Sequence, residues 1–249
     1  MPLTSPLAFH SFSERVKNRH RFMLDDRQSE FLKELLSSVR DRERALGAGT
    51  ILWRAQKGSA RKWRDVSGGI QVPELIPYPH ARMKPEEGKQ REGRANPKGI
   101  PYLYLADTKE TAMSEMRGWL DAPITVSQFE IVRDVTVVDC TGDYVRVPVG
   151  IAFSDLDLET IQRTVWGTVS GAFSDPVNDG DDTADYAATQ FVSDAFKKHG
   201  YHGVSYRSKV KKGGTSTAFF DPSVAIVRES FVYTVKSICY EFTEYRFDE

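Results

Sequence analysis

The stretch GRANPKGIPYLYLADTKETAMSEM, Gly93 to Met116, holds a loop, a strand and a helix in succession. Gly93, Arg94, Asn96, Pro97 and Gly99 form a basic loop, and Tyr102 to Leu105 has the aromatic and aliphatic texture of a short strand. Asp107 with Glu110 three positions on has the form of a capping box, which starts a helix. Ala112, Met113, Met116 and Leu120 recur at helical spacing, so one side of that helix faces a core. Glu115 stands at the border of this apolar side, half-buried and in need of a partner. Loop, strand and helix together bring Arg94, Tyr104 and Glu115 to one cleft.

Outward from this stretch, the chain has the composition of an ordinary globular protein. It has 249 residues, 28% charged and 40% hydrophobic, with a formal net charge of −1. That length permits burial of roughly 70–75% of the unfolded surface. Near-neutral charge gives no electrostatic footprint for direct nucleic-acid binding. Cys140 and Cys239 stand far apart and in no CxxC pairing, which excludes a disulfide framework and a cysteine zinc site. The beginning, MPLTSPLAFHSFSERVKNRH, lacks the apolar core of a signal peptide, and no run approaches about 18 apolar residues. A cytoplasmic protein without membrane association is expected.

Residues 1–25, with Arg15, Lys17, Arg19, His20 and Arg21, read as a solvated arm or, alternatively, a partner-binding one. Phe31, Leu32, Leu35, Leu36 and Val39 predict a helix from Asp26 to about Ala45. An arm and helix over 1–47 thus precede a domain spanning 48–249. Thr50 to Ala55, TILWRA, reads as a core strand carrying Arg54. A buried guanidinium there calls for an anion, either a carboxylate of the protein or a ligand phosphate.

Residues 57–100 are rich in proline, glycine and charge, and read as a long loop able to act as a lid. Ile124 to Ile131 and Val135 to Asp139 read as strands, and Asp155 to about Val169 as a helix. Ser174 to Asp182 is an acidic loop without the calcium-loop order of acids. A further helix opens at Asp182 or Thr183 and stops at Gly200 after Lys197 and Lys198. Gly203 to Ser208 and Thr215 to Phe220 form a hairpin about Lys209, Lys211, Lys212, Gly213 and Gly214. That turn is either a plain basic turn or one whose amides and lysines face a phosphate. Val224 to Val227 and Phe231 to Phe242 complete a strand-rich end. The expected fold is a mixed α/β (α+β) one, with helices flanking a sheet.

The segments LWRA at 52–55, 93–115, GYHGVSYRS at 200–208 and GGTSTAFFDP at 213–222 resemble, in order, the RES-domain family, named for a recurring Arg, Glu and Ser. The resemblance covers about residues 48 to 228. It implies a fold similar to ADP-ribosyltransferases, an activity that consumes NAD, and a toxin role in bacterial toxin–antitoxin pairs. Arg54, Glu115 and Ser208 are then the candidate catalytic residues. Arg94, Tyr104, Tyr102 and Lys212 are candidates for holding substrate. Two departures stand out: His202 occupies a place where many members carry Asp, and the 57–92 segment is long.

What the resemblance implies agrees with the residue chemistry. Cleavage of the nicotinamide–ribose bond passes through an oxocarbenium-like state that a carboxylate stabilises. Arginine forks suit a pyrophosphate. No G-x-G-x-x-G turn is present, so NAD would be a substrate, and neither a cofactor nor a metal is called for. Expected partners are NAD and a helix-turn-helix (Xre-like) antitoxin, with homo-oligomerisation left open. The acceptor is open as well: water gives an NAD glycohydrolase, phosphate a phosphorylase, and a protein side chain an ADP-ribosyltransferase. A non-catalytic nucleotide- or nucleic-acid-binding module is the alternative from another class.

Overall fold

The alternation of apolar residues along the central strands covers a sheet on both faces, and the elements follow from it. The computed structural model describes residues 3–19, 21–142, 156–175 and 183–244. In chain order these contain α1 (Ala8–Asn18), α2 (Asp26–Ser37), β1 (Glu43–Leu46), β2 (Ile51–Lys57), β3 (Ala60–Val66), β4 (Ile70–Ile76) and β5 (Leu103–Ala106). They continue with α3 (Lys109–Glu115), β6 (Pro123–Ile131), β7 (Val135–Cys140), α4 (Leu158–Ser174) and α5 (Ala187–Lys198), then β8 (Gly203–Arg207), β9 (Thr215–Phe219) and β10 (Ala225–Thr234).

Eight strands form one mixed sheet in the order β1-β7-β8-β9-β5-β2-β6-β10. Among the described residues its one parallel strand pair is β7 with β8, the pair separated in sequence by α4 and α5, as a crossover requires. The other neighbours are antiparallel. Successive residues point to opposite faces. Tyr102, Val138, Val204, Ala218 and Phe220 share one core with Phe12, Phe31, Trp166, Phe173 and Phe196 of α1, α2, α4 and α5. Leu103, Leu105, Val137 and Phe219 face the other way, against Met83, Phe129 and Ile131. α3 packs on Ala55, Ala106, Ile124 and Val126 through Ala112. The mixed α+β fold expected from the sequence is thus present.

Several local expectations are corrected. The stretch read as a solvated arm contains α1, whose Phe9, Phe12 and Val16 are buried. Their i, i+3, i+7 spacing is an apolar stripe within a basic segment. The helix expected over 26–45 ends at Ser37, and Glu43–Leu46 turns into an edge strand on β7. The long 57–100 loop holds the β3–β4 hairpin, separate from the main sheet, and a short 3-10 turn at His80–Met83. The strands expected over 224–227 and 231–242 are one strand, β10, with a bulge between Val227 and Glu229. Residues 176–182 of the acidic loop lie outside the described residues. Among the described residues, no helix is long and apolar enough to cross a membrane.

Candidate active site

Glu115 is the last residue of α3, and Ser208 directly follows β8. Ser208 Oγ donates to Glu115 Oε1 at 2.7 Å, and the Lys211 amide donates to Ser208 Oγ at 3.1 Å. The serine hydroxyl is therefore fixed as a donor toward the carboxylate, because the turn amide already occupies its acceptor side. The position of α3 is set by the two residues that join it to β5. Thr108 caps the helix by accepting from the Thr111 amide, in place of the capping box expected from Asp107 and Glu110. Asp107 instead accepts from the Thr215 amide and hydroxyl, tying the end of β5 to β9. The helix stops at Glu115, so Leu120 lies beyond it and is exposed.

Glu115 lines a cavity of about 250 Å³ together with Trp53, Arg54, Tyr104, Ala106, Met116, Tyr206 and Ser216. β2 delivers Arg54 into it, and Arg54 Nη1 is buried without a hydrogen-bond partner. Burial lowers the Arg54 pKa to about 10, with Tyr104 opposing the shift. The guanidinium thus stays cationic at neutral pH, as a buried cation aimed at a cavity that contains a carboxylate. Of the two anions the sequence left open for Arg54, no protein carboxylate is hydrogen-bonded at Nη1.

Tyr104 also lines this cavity, but its hydroxyl is committed. It donates to Asn96 Oδ1 at 2.7 Å and accepts from the Ala95 amide at 3.2 Å. Burial pushes its phenol up to about 12. The loop it holds is clamped from the helical side as well, because Thr189 Oγ1 donates to the Arg94 carbonyl at 2.5 Å and Gln190 Nε2 to the carbonyls of Gly93 and Asn96.

Arg94 faces another task. Its Nη1 donates to the carbonyls of Phe173 and Ser174, at 2.6 and 2.5 Å, satisfying the C-terminus of α4. Tyr206 lies between these groups, with Arg94 6.0 Å from its ring centroid and Phe173 stacked at 6.2 Å. Tyr102 is not at the cavity. It is fully buried against Phe220, and its hydroxyl donates to Asp194 of α5 at 3.2 Å. Period-two alternation puts Tyr102 and Tyr104 on the same face, but only Tyr104 is level with Arg54.

Lys212 lines a second cavity of about 640 Å³, with Ser208, Arg207, Lys209 and the small residues Gly167, Ser170, Gly171 and Ser174 of α4. The Ser208–Glu115 bond therefore joins a lining residue of each cavity. Trp53, Tyr206, Ser216 and Ser170 are site-lining residues that the sequence did not single out. For Tyr206 a signal was available, since it alternates with Val204 and stands two residues before Ser208.

The RES-domain family model matches residues 51–241. The chain belongs to the RES-domain family. Ile51 begins the match, so α1, α2 and β1 precede the segment by which this RES-domain protein is recognised. A solved chain from the M. tuberculosis MbcT–MbcA toxin–antitoxin complex is similar at 19% identity and a TM-score of 0.40, over 81% of this chain and 92% of that one. None of the curated proteins compared with the chain matches it.

Proposed function

We propose that this RES-domain protein cleaves the nicotinamide–ribose bond of NAD with water as acceptor, and that it acts as a cytoplasmic toxin held in check by a cognate antitoxin. The supporting observation is the meeting of a serine-held carboxylate, Glu115, with an unpaired buried guanidinium, Arg54, in one cavity. The reaction needs both signs of charge. Positive charge develops on the ribose as nicotinamide leaves, and Glu115 would stabilise it from beneath C1′ or through a ribose hydroxyl. Ser208 would keep that carboxylate aimed. Arg54 would take the nearer phosphate, an anion that offsets the cost of burying the arginine. Tyr104, Tyr206 and Trp53 would supply flat apolar walls for the nicotinamide.

The toxin role and the antitoxin rest on family membership together with the residue-level resemblance. The test is to incubate the purified chain and its Glu115→Gln variant with NAD and follow products by chromatography and mass spectrometry. Nicotinamide with ADP-ribose from the wild type alone is the expected result. ADP-ribose 1″-phosphate in phosphate buffer, or labelled protein, would replace water by another acceptor. Intact NAD with both folded proteins would overturn the reading.

A further inference from the structure

We propose that the cavity of about 640 Å³ beside Ser208 is an adenylate-binding subsite, in which Ser170 and Lys212 hold the half of the dinucleotide remote from the scissile bond. This rests on the NAD reading for its place in a reaction, and its own test does not require cleavage.

The first observation is an orphaned group. Ser170 is 4% exposed, its Oγ has no hydrogen-bond partner, and it lines the cavity. A buried hydroxyl in mid-helix commonly bonds back to the carbonyl four residues earlier, as Thr164 and Thr168 of the same helix do. Ser170 does not, so its hydrogen-bonding capacity points to something outside the protein.

The second observation is the shape of α4. Gly167, Ser170, Gly171 and Ser174 recur at i, i+3, i+4 and i+7 and line one face of the cavity. Small residues in that pattern usually let another backbone approach closely. Here a cavity lies in front of them. A Cβ added at Gly171 would meet only the Asp175 carboxylate, at 3.7 Å, so no described protein atom demands glycine there. Glycine in a helix interior is destabilising relative to alanine, and a flat ligand lying on the helix gives it a reason.

The third observation is charge. Arg207, Lys209 and Lys212 also line the cavity. Lys209 is paired with Asp175 at 2.9 Å, whereas Lys212 is exposed on the turn and suited to a phosphate. A polar orphan, a smooth helix face and a cation at the rim match base, ribose and phosphate of a nucleotide. The volume is in the usual range for such ligands. Ser208 of this cavity bonds Glu115 of the smaller one, so the two cavities are neighbours across a single hydrogen bond, as the two halves of a dinucleotide require.

The experiment is equilibrium binding of adenosine monophosphate and ADP-ribose, by calorimetry, to the wild type and to Ser170→Ala, Ser170→Leu, Lys212→Ala and Glu115→Gln. Expected is binding to the wild type, weakened at least about tenfold by Ser170→Leu and several-fold by Ser170→Ala and Lys212→Ala, with Glu115→Gln leaving adenosine monophosphate unaffected. Lys212→Ala changes only an exposed side chain, so a folding defect in Ser170→Leu does not remove the test. No adenosine monophosphate binding to the wild type, or binding indifferent to both Ser170→Ala and Lys212→Ala, would overturn the assignment. Binding as expected with no NAD cleavage would leave the subsite standing and sink the catalytic reading alone.

Discussion

Ser208 Oγ lies 2.7 Å from Glu115 Oε1, a contact between the end of β8 and the end of α3 across 93 positions of sequence. The pair is separable by mutation. Glu115→Gln keeps the volume and can still accept from Ser208, so its fold should be unchanged while nicotinamide release falls at least about 100-fold, roughly 2.7 kcal/mol in the barrier. Ser208→Ala leaves the carboxylate present but unaimed, and about a tenfold loss in kcat is expected. Steady-state rates with matched circular dichroism spectra check both. A Glu115→Gln protein with wild-type turnover would remove Glu115 from the chemistry.

Arg54 behaves differently because its charge is buried without a protein partner at Nη1. Desolvation lowers its pKa to about 10, which means that folding disfavours the charged form. The cost is present below that pH and is relieved as pH rises through it. Arg54→Met should therefore raise thermal stability, by about 1–3 kcal/mol or roughly 2–4 °C for each, while abolishing NAD binding. The exposed part of the side chain limits that gain. In the wild type, affinity for NAD should be insensitive to Arg54 titration between pH 7 and 9 and should fall above about 10. Melting curves with and without NAD decide it: a variant both less stable and still stabilised by NAD contradicts the assignment.

The sequence carried the site's chain positions better than its surroundings. β5 and the β8–β9 hairpin are legible because apolar or small residues fill both of their faces, which are largely buried, and β2 because Leu52, Trp53 and Ala55 flank Arg54. β3 and β4 are not, because most residues of both strands are exposed and none is buried, so no alternation marks them. The one signal was Gly68-Gly69 at their turn, both with positive φ. Leu120 fitted the helical period of α3 yet lies outside it, since Arg117 adopts φ 45° and turns the chain away. Arg94 illustrates a deeper limit. Its loop context is what a phosphate-binding arginine would have, but the C-terminal carbonyls of α4, about 80 positions on, claim its guanidinium, and no local pattern could show them.

The helix at the start of the chain should prove integral to stability although it precedes the RES-domain match. Phe12 is 2% exposed, 4.8 Å from Phe31 and edge-on to Phe191 of α5. Phe12→Ala should cost about 3–5 kcal/mol in urea unfolding. The solvated-arm reading instead predicts no change.

Tyr104 tests whether the loop clamp matters apart from the cavity wall. Tyr104→Phe keeps the ring but leaves Asn96 Oδ1 and the Ala95 amide without their partner, and should cost about 1–3 kcal/mol. Gly93→Ala attacks the same place from the loop, since a Cβ there would come within 2.8 Å of both Asn96 Oδ1 and the Tyr104 hydroxyl. Because both changes act on one hydrogen bond, the double variant should lose less stability than the sum of the singles. Full additivity in urea melts would mean that Gly93 and Tyr104 act independently, and the loop would then be held chiefly by Thr189 and Gln190.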